Sequence, residues 1–356
     1  HVDIAPLRGR AGLQARGDDD ALVADLTDRD FTINAIARPL RGGDLIDPLG
    51  GVGDLRARRL RLCSPAALKD DPLRVVRLAR LARGLGMTMD AATAAAAKAA
   101  AAGLAGVSGE RVRDELCAVL ALRTAAAAIR DLADWGALAV VLPEVDELRG
   151  VEQNTYHHLD VFGHSLEALG YVHDVVEQMG GVRCLVPPGD VGLPGADPVV
   201  PLAWAVLLHD IGKPACRAIG PDGRVRFWYH DEVGSRMIAV LAERLRLSGR
   251  FTSFLSTLVR HHLRLGFLVR EQPLSRRALA RYRRDVSPWV FESVVVSLCD
   301  RLATRGEKTS LLSIARHYRV ARKVWTRVNK APIPRLLSGD DVMRVLGIGP
   351  GPDVGR

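Results

Sequence analysis

Two stretches of this chain hold residue types whose spacing could do chemistry. The first is Lys69–Asp70–Asp71–Pro72–Leu73–Arg74–Val75–Val76–Arg77, continuing to Arg80 and Arg83. Asp71 followed by Pro72 predicts a helix start, with a side-chain acceptor at the N-cap and a proline at the first helical position. Asp71 and Arg74 would then lie about one turn apart and could present a carboxylate and a guanidinium together. Such a pair matches the Watson–Crick edge shared by C and A. The acid accepts from the exocyclic amine and the arginine donates to the adjacent ring nitrogen, whereas G and U carry a carbonyl in place of the amine. Arg74, Arg77 and Arg80 recur every three residues near one face, where the phosphates of a nucleotide would trail. On these residues alone an N-cap with a solvated basic helix face carries equal weight.

The second stretch is longer. Tyr156–His157–His158 leads through Asp160 to His164, and the apolar run Leu202–Leu208 precedes His209–Asp210–Ile211–Gly212–Lys213–Pro214. Tyr229–His230–Asp231, Val259–Arg260–His261–His262 and Cys299–Asp300–Arg301 follow. Imidazoles and carboxylates at the ends of separate helices suit an octahedral, water-bearing divalent site. A lone histidine at a helix end is ordinarily structural, but several such positions in succession reverse that judgement. His261 and His262 compete for one ligand position, as do His157 and His164. Lys213 could contact a substrate phosphate, or, with Pro214 after it, belong to a plain turn.

The elements that must position these residues are mostly helical. Ala-rich runs dominate between 88 and 142, with Gly103, Gly106 and Gly136 as breaks, and nearly half of the 356 residues are apolar. The net charge of +9 suits a polyanionic partner, RNA or DNA, and no apolar run approaches the roughly 20 residues of a membrane span. The five cysteines are scattered without a CxxC pair, as expected for reduced thiols of a cytoplasmic protein, and no signal peptide is recognisable. The chain opens at His1 and stops after Gly355–Arg356, so both ends are expected to be missing.

Upstream, His1–Ala5 alternates like a strand carrying Asp3, and residues 8–20 read as a mobile loop. Ala24–Ala37 reads as a charged turn running into an apolar helix start. Asp44–Leu55 reads as a short strand, a glycine turn and a new helix or turn. Arg111, Arg113, Arg123 and Arg130 could meet RNA phosphates or lie on a solvated face. Residues 181–200, rich in Pro and Gly, look like an inserted loop.

RDFTINA at 29–35, IDPLGGVGDL at 46–55 and DDPLRVVRLARLA at 70–82, in this order, resemble the bacterial tRNA nucleotidyltransferase and poly(A) polymerase family. Val107–Val112 resembles the family's next motif. Leu337–Asp341 with Gly349–Pro352 resembles its tail, so the resemblance spans nearly the whole chain. It implies a head, neck and body in which the head joins nucleotides from CTP and ATP to a tRNA or other RNA 3′ end, using Mg2+. By motif position Asp71 and Arg74 would select the base, Arg77 and Arg80 would help bind the nucleotide, and Arg29, Asp30 and Asn34 would hold ribose and phosphates. The second constellation resembles the all-helical HD phosphohydrolase family. That resemblance implies His164, His209, Asp210 and Asp300 around one divalent metal (Mg, Mn, Ni or Co), and His230 and His261 around a second.

The implied fold class is mostly α, the remnant of a mixed α/β head followed by a helical neck and an all-α HD domain. The expected boundaries are 1–60 for the head, 61–142 for the neck, 143–310 for the HD domain and 311–356 for an RNA-binding tail. Two departures from the family pattern matter. Its double arginine is Asp28–Arg29 here, and its paired metal-binding aspartates do not precede Asp30. Asp3 matches at most a third acidic position, and one carboxylate cannot organise two-metal phosphoryl transfer. Residues 1–356 are therefore expected to bind nucleotide weakly and not to extend RNA. The alternatives are a phosphohydrolase with a non-catalytic nucleotide-binding head, and a silent RNA-binding protein whose metal holds the body together. The choice among CCA, CC, A and poly(A) is not legible, nor is the oligomeric state.

Overall fold

The computed structural model describes residues 18–328 apart from 41, 194, 196 and 272, together with 343–345 and 347–351. Asp3 and the His1–Ala5 strand lie outside the described residues, as does most of the tail motif. The described chain is mostly α. Its one named sheet pairs β1 (Arg217–Ile219) antiparallel with β2 (Val225–Phe227).

Among its described residues the head is organised by one buried carboxylate. Helix α1 (Asp18–Thr27) starts inside the stretch expected to be a mobile loop. The chain after it bends through a 3-10 turn, Thr32–Asn34, instead of entering the expected helix. Phe31 bridges Leu62 and Ala37 bridges Ile46, and these pairings hold the segment flat. Asp54, at the end of the glycine turn in α2 (Gly51–Arg56), is fully buried. It accepts from Thr32 Oγ1 (2.7 Å), Arg59 Nε (2.7 Å) and Arg61 Nε (3.0 Å). Gly51 permits this contact, because a Cβ there would stand 2.0 Å from the Thr32 carbonyl oxygen.

Helices α3 (Ala67–Asp70) and α4 (Arg74–Leu85) carry the organising motif into the neck. Asp71 has extended backbone at the end of α3. The Arg74 N–H donates to the Asp71 carbonyl, and the Leu73 N–H reaches the Asp71 side chain at 3.3 Å. A tight turn thus precedes the α ladder, and the helix begins at Arg74 rather than just after an N-cap at 71. Val75, Val76, Leu78, Ala79 and Ala82 bury one face of α4 against α6 (Gly109–Leu120) and α7 (Ala125–Asp134). Helix α5 (Ala91–Ala100) is capped by Asp90, and α8 (Leu138–Val141) and α9 (Pro143–Asp146) close the neck.

The body packs α10 (Val161–Gly170), α11 (Val172–Met179), α12 (Val200–Leu208) and α18 (Val290–Ala303) together. All nine residues of α12 are buried, as its unbroken apolar run demands. The loop before it is tied down by the Glu292 carboxylate, which accepts from the Val186 N–H at 2.8 Å. Around this centre lie α13 (Lys213–Cys216), α14 (His230–Arg244), α15 (Gly249–His261), α16 (Arg264–Arg270), α17 (Arg276–Val286) and α19 (Leu311–Val328). Body and neck share one core. Trp204 of α12 is fully buried, and its indole N–H lies 3.4 Å from the Cys117 sulfur of α6.

Candidate functional site

The buried end of α12 delivers His209 and Asp210 to the place where four other helix ends converge. His164 comes from α10, Asp300 from α18, His230 from the start of α14, and His262 from the residue just past α15. Gly212 lets these elements close up. A Cβ at 212 would stand 2.1 Å from the His230 carbonyl oxygen and 2.6 Å from the Gly234 nitrogen, so any larger residue would push α14 away.

Two ligand groups result: His164, His209 and Asp300, and Asp210, His230 and His262. Within each, the ligand atoms lie within 4.8 Å of one another. His261 is not part of the second group; it lies half-buried beside Arg264, and its neighbour His262 points inward instead. The helical turn at the end of α15 decides between two adjacent histidines by rotating them about 100° apart. His164, rather than His157, occupies the first group. His157 packs edge-on against the His164 ring and lines the cleft.

The hydrogen bonding of the four imidazoles follows one rule. His209 Nδ1 meets the Val206 carbonyl at 2.7 Å, His230 Nδ1 that of Phe227 at 2.7 Å, His262 Nδ1 that of Val259 at 2.7 Å, and His164 Nδ1 that of Ala303 at 3.3 Å. A carbonyl can only accept, so each Nδ1 carries the proton, and in the neutral ring Nε2 is a lone pair. These lone pairs converge on one another and on carboxylates. Nε2 of His230 lies 3.2 Å from Nε2 of His262, and Nε2 of His209 lies 3.0 Å from Asp210 Oδ2. Nε2 of His164 and Nε2 of His209 are buried without a hydrogen-bond partner. Lone pairs facing lone pairs in a buried site require positive charge between them. The residues present therefore fit divalent cations.

The electrostatics agree. Burial opposes charge on both His209 and Asp210, but Asp210 and Asp300 raise the pKa of His209. Positive charge on His209 and Lys213 holds the Asp210 carboxyl well below the usual carboxylate range, so the cluster draws positive charge inward. Burial, and then His230 beside it, push His262 down to about 4, which keeps that ring a neutral ligand. Lys213 is buried; its Nζ lies 2.6 Å from Asp210 Oδ2, and it donates to Gln153 Oε1 at 2.7 Å. A cleft of about 390 Å3 opens above the group, lined by Lys213, Gln153, Tyr156, His157, Arg270 and Arg301 among others.

The other candidates meet at the crease between head and neck. Asp30 Oδ1 accepts from Asn34 Nδ2 (3.0 Å) and the Phe31 N–H (2.8 Å), and its Oδ2 accepts from Arg77 Nη1 (3.0 Å). Burial opposes the charge of Asp30, yet Asn34, Arg77 and the Phe31 N–H together lower its pKa. Arg77 and Arg80 share the buried Glu115 of α6, the latter at 2.5 Å. Arg29 pairs with Asp25 at 3.2 Å and donates to the Asn34 carbonyl at 3.0 Å. Arg74 Nη2 donates to the Asp28 carbonyl at 2.9 Å, so the 28–34 and 70–83 segments adjoin. The side chains of Asp71 and Arg74 do not bond to each other. Asp71 Oδ2 pairs with Arg111 Nη2 at 2.7 Å.

Sequence reasoning missed Glu115 as an anchor, although its offset of four from Arg111 places both on one face of α6. Arg113 and Arg123, weighed as phosphate contacts, are engaged by Asp114, and by Asp174 and Glu177. Arg130 lies over the Phe162 ring at 6.0 Å. Among the described residues both metal-competent groups belong to the body and none to the head.

Comparison with known proteins gives three family matches along the chain. They are the poly A polymerase head domain at residues 2–61, the probable RNA and SrmB-binding site of polymerase A at 86–149, and the HD domain at 161–305. An A-adding tRNA nucleotidyltransferase of Deinococcus radiodurans is 40% identical over 341 residues, covering 93% of this chain and 72% of that protein. A CC-adding tRNA nucleotidyltransferase of Thermus thermophilus is 33% identical over 369 residues, covering 100% of this chain and 73% of that protein. The structure of a CCA-adding enzyme with CTP superposes with a TM-score of 0.59 at 18% identity, covering 95% of this chain and 66% of that one. The Thermotoga maritima CCA-adding enzyme in complex with tRNA superposes with a TM-score of 0.57 at 18% identity, covering 94% and 67%. At such identities these two structures speak for the shared fold.

Proposed function

We propose a function from one settled premise: the chain belongs to the bacterial tRNA nucleotidyltransferase and poly(A) polymerase family and carries an HD domain. The whole protein adds nucleotides from CTP or ATP to the 3′ end of tRNA, with Mg2+ at the transferring centre, in the cytoplasm. The observation that carries this reading is the crease where Arg77 joins Asp30 to Glu115 while Arg74 binds the main chain of the 28–34 segment. There Asp71 and Arg74 select the base, Arg77 and Arg80 support the nucleotide, and Arg29, Asp30 and Asn34 hold ribose and phosphates. The boundaries we assign are 1–60 for the head, 61–142 for the neck, 143–310 for the HD domain and 311–356 for a tail that contacts RNA.

The test is incorporation of labelled CTP or ATP into a tRNA that ends before its CCA, with the products sequenced. Residues 1–356 themselves should leave the RNA unextended, because two-metal transfer needs a carboxylate pair. The sole acidic candidate for that role, Asp3, lies outside the described residues. Incorporation by this chain would refute that expectation.

The HD site acts as a metal-dependent phosphohydrolase. His164, His209, Asp210 and Asp300 would hold one divalent cation, Mg, Mn, Ni or Co, and His230 and His262, with Asp210, would hold a second. When bound, such cations lower the pKa of water and neutralise charge developing on phosphate oxygens. The protein's own part is orientation. The backbone carbonyls at 206, 227, 259 and 303 fix each imidazole with Nε2 inward, and Lys213 sets a cation at the cleft floor for a substrate phosphate. In the reaction a water oxygen bonds to phosphorus, the bond from phosphorus to the ribose oxygen breaks, and the departing oxygen takes up the proton. Asp210→Ala should abolish divalent-dependent hydrolysis of a 2′,3′-cyclic nucleotide with the fold retained. Unchanged hydrolysis would remove this site from the account.

A phosphohydrolase whose head only binds nucleotides is the second reading. It is favoured by the confinement of metal-competent groups to the body among the described residues. Hydrolysis by the intact protein without any nucleotide incorporation would select it.

A further inference from the structure

The cleft above the HD cluster does not end at the size of one small ligand. A second chamber of about 370 Å3 adjoins it and shares Tyr156, His262, Arg270, Asp300 and Arg301 with it. A third, of about 350 Å3, shares Gln153, Asn154 and Tyr156 with the first and Lys308 with the second. Each alone stands near the lower end of the range for a single small-molecule site. Tyr156 lines all three.

Their chemistry is one-sided. The only carboxylates in the three linings are Asp210 and Asp300, both members of the metal-competent groups. Away from that cluster the second chamber carries Arg270 and Arg316 and the third carries Arg224 and Arg226, both paired with Asp222 outside the linings, while Lys308 lines both. Arg270, Lys308 and Arg316 make no ion pair with any described residue, so their charge faces solvent and the cleft uncompensated.

Aromatic faces accompany the cations. The large aromatic side chains exposed among the described residues are Tyr156, Trp228, Tyr229 and Phe267, at 50% to 71% exposure. Tyr156 and Phe267 line the chambers, and Trp228 and Tyr229 immediately precede His230. Arg226 lies over the Trp228 ring at 5.5 Å. Exposed aromatic rings alternating with unpaired cations along a groove are how proteins hold single-stranded nucleic acid, with stacking for bases and charge for phosphates.

We propose that these chambers form a track for a single-stranded oligonucleotide several nucleotides long, which runs past the HD centre and presents one internucleotide phosphate to it. The proposal rests on the phosphohydrolase reading of that centre and adds its substrate class, a strand rather than a mononucleotide. Phosphates on one side of the scissile bond meet Arg270 and Arg316, with a base against Phe267. On the other side they meet Lys308, Arg224 and Arg226, with a base against Tyr156.

The experiment uses the full chain loaded with Mn2+ and three probes: hexa-adenylate RNA, the dinucleotide ApA and bis(p-nitrophenyl) phosphate. Hydrolysis of the hexamer should exceed that of ApA at least tenfold in kcat/KM. Phe267→Ala and Arg316→Ala should each weaken hexamer binding, read by fluorescence anisotropy, by about tenfold, the scale of a lost stacking contact. Both should leave bis(p-nitrophenyl) phosphate hydrolysis unchanged. The salt dependence of hexamer binding should lose about 0.7 in log–log slope with Arg316→Ala, one phosphate contact on a single strand. Equal rates on hexamer and ApA, or hexamer binding indifferent to both substitutions, would overturn the track while leaving the phosphohydrolase reading intact. Failure to hydrolyse bis(p-nitrophenyl) phosphate, with the binding losses still seen, would overturn the phosphohydrolase reading and leave the track standing.

Discussion

The Asp71 carboxylate is held by Arg111 at 2.7 Å, while Arg74 donates to the main-chain carbonyls of Asp28 and Ala67. Helix α6 of the neck thus grips the acid, and the head segment grips the arginine. The two groups proposed to read a base are oriented from different parts of the chain, and the base edge must fit where those parts meet. Arg111 thus places a counter-charge beside the carboxylate oxygens that would accept from a base amine.

Base selection should therefore depend on Asp71 and Arg74 more than on Arg111. Asp71→Ala and Arg74→Ala are each expected to lower the preference for CTP and ATP over GTP and UTP by about tenfold, within the 1–3 kcal/mol scale of a bidentate base contact. Arg111→Ala should retain most of the preference. Equilibrium dialysis with each of the four nucleotides measures this, and undiminished selectivity in Asp71→Ala would end the base-reading role.

Glu115 ties two arginines of α4 to α6 from a buried position. Removing its charge leaves both guanidiniums without that partner, though each is partly exposed and water offsets some of the loss. Glu115→Gln should lower stability by about 2 kcal/mol in urea unfolding. A change below about 0.5 kcal/mol would mean that solvent already screens the pair.

The choice between adjacent histidines can be read from metal content. His262→Ala should reduce bound divalent metal, measured by elemental analysis after dialysis, by tenfold or more, since even the partners of metal ligands are worth about 10- to 100-fold. His261→Ala should bind as the parent does, because its side chain lies beside Arg264, away from the cluster. The opposite pattern would return the ligand to position 261. Chelation of the parent should also lower its melting temperature, because ligand bound at 100 times Kd stabilises by about 2.7 kcal/mol.

Asp30 should make the protein acid-sensitive. Its folded pKa is depressed, so its contribution is fully present above the unfolded carboxylate value of about 3.9 and fades as pH falls through the folded value. Asp30→Asn should be less stable than the parent by about 1–2 kcal/mol at pH 7, with the difference shrinking below about pH 4. Denaturant melts across pH 3 to 7 measure the gap. A gap that stays constant would assign the effect to hydrogen-bond shape instead of charge.

Much of this was legible along the chain because it depends on local rules. The apolar run 202–208 had to be a buried helix, so His209 and Asp210 had to emerge at the rim of a core. The order of short motifs pointed to a head, a neck and an HD body, and the helical character followed from the Ala-rich runs. The turn before α4 was less legible: the Leu73 N–H turns to the Asp71 side chain and delays the ladder, a competition between local bonds that residue type does not rank. The helix start expected within Ala24–Ala37 gives way to a 3-10 turn because Phe31 pairs with Leu62 and Ala37 with Ile46, contacts from outside the segment.

By itself the sequence determined which residue types could serve, since ligand atoms and charges are properties of side chains. Only the tertiary structure decided which of them meet. The rotation at the end of α15 turned His262 inward and His261 aside, and the Ala303 carbonyl of α18 chose the ring nitrogen that His164 offers. The approach of α6 gave Asp71 to Arg111. Each of these is a matter of angle and distance between separately formed helices, set by how their apolar faces pack, and no local spacing records it.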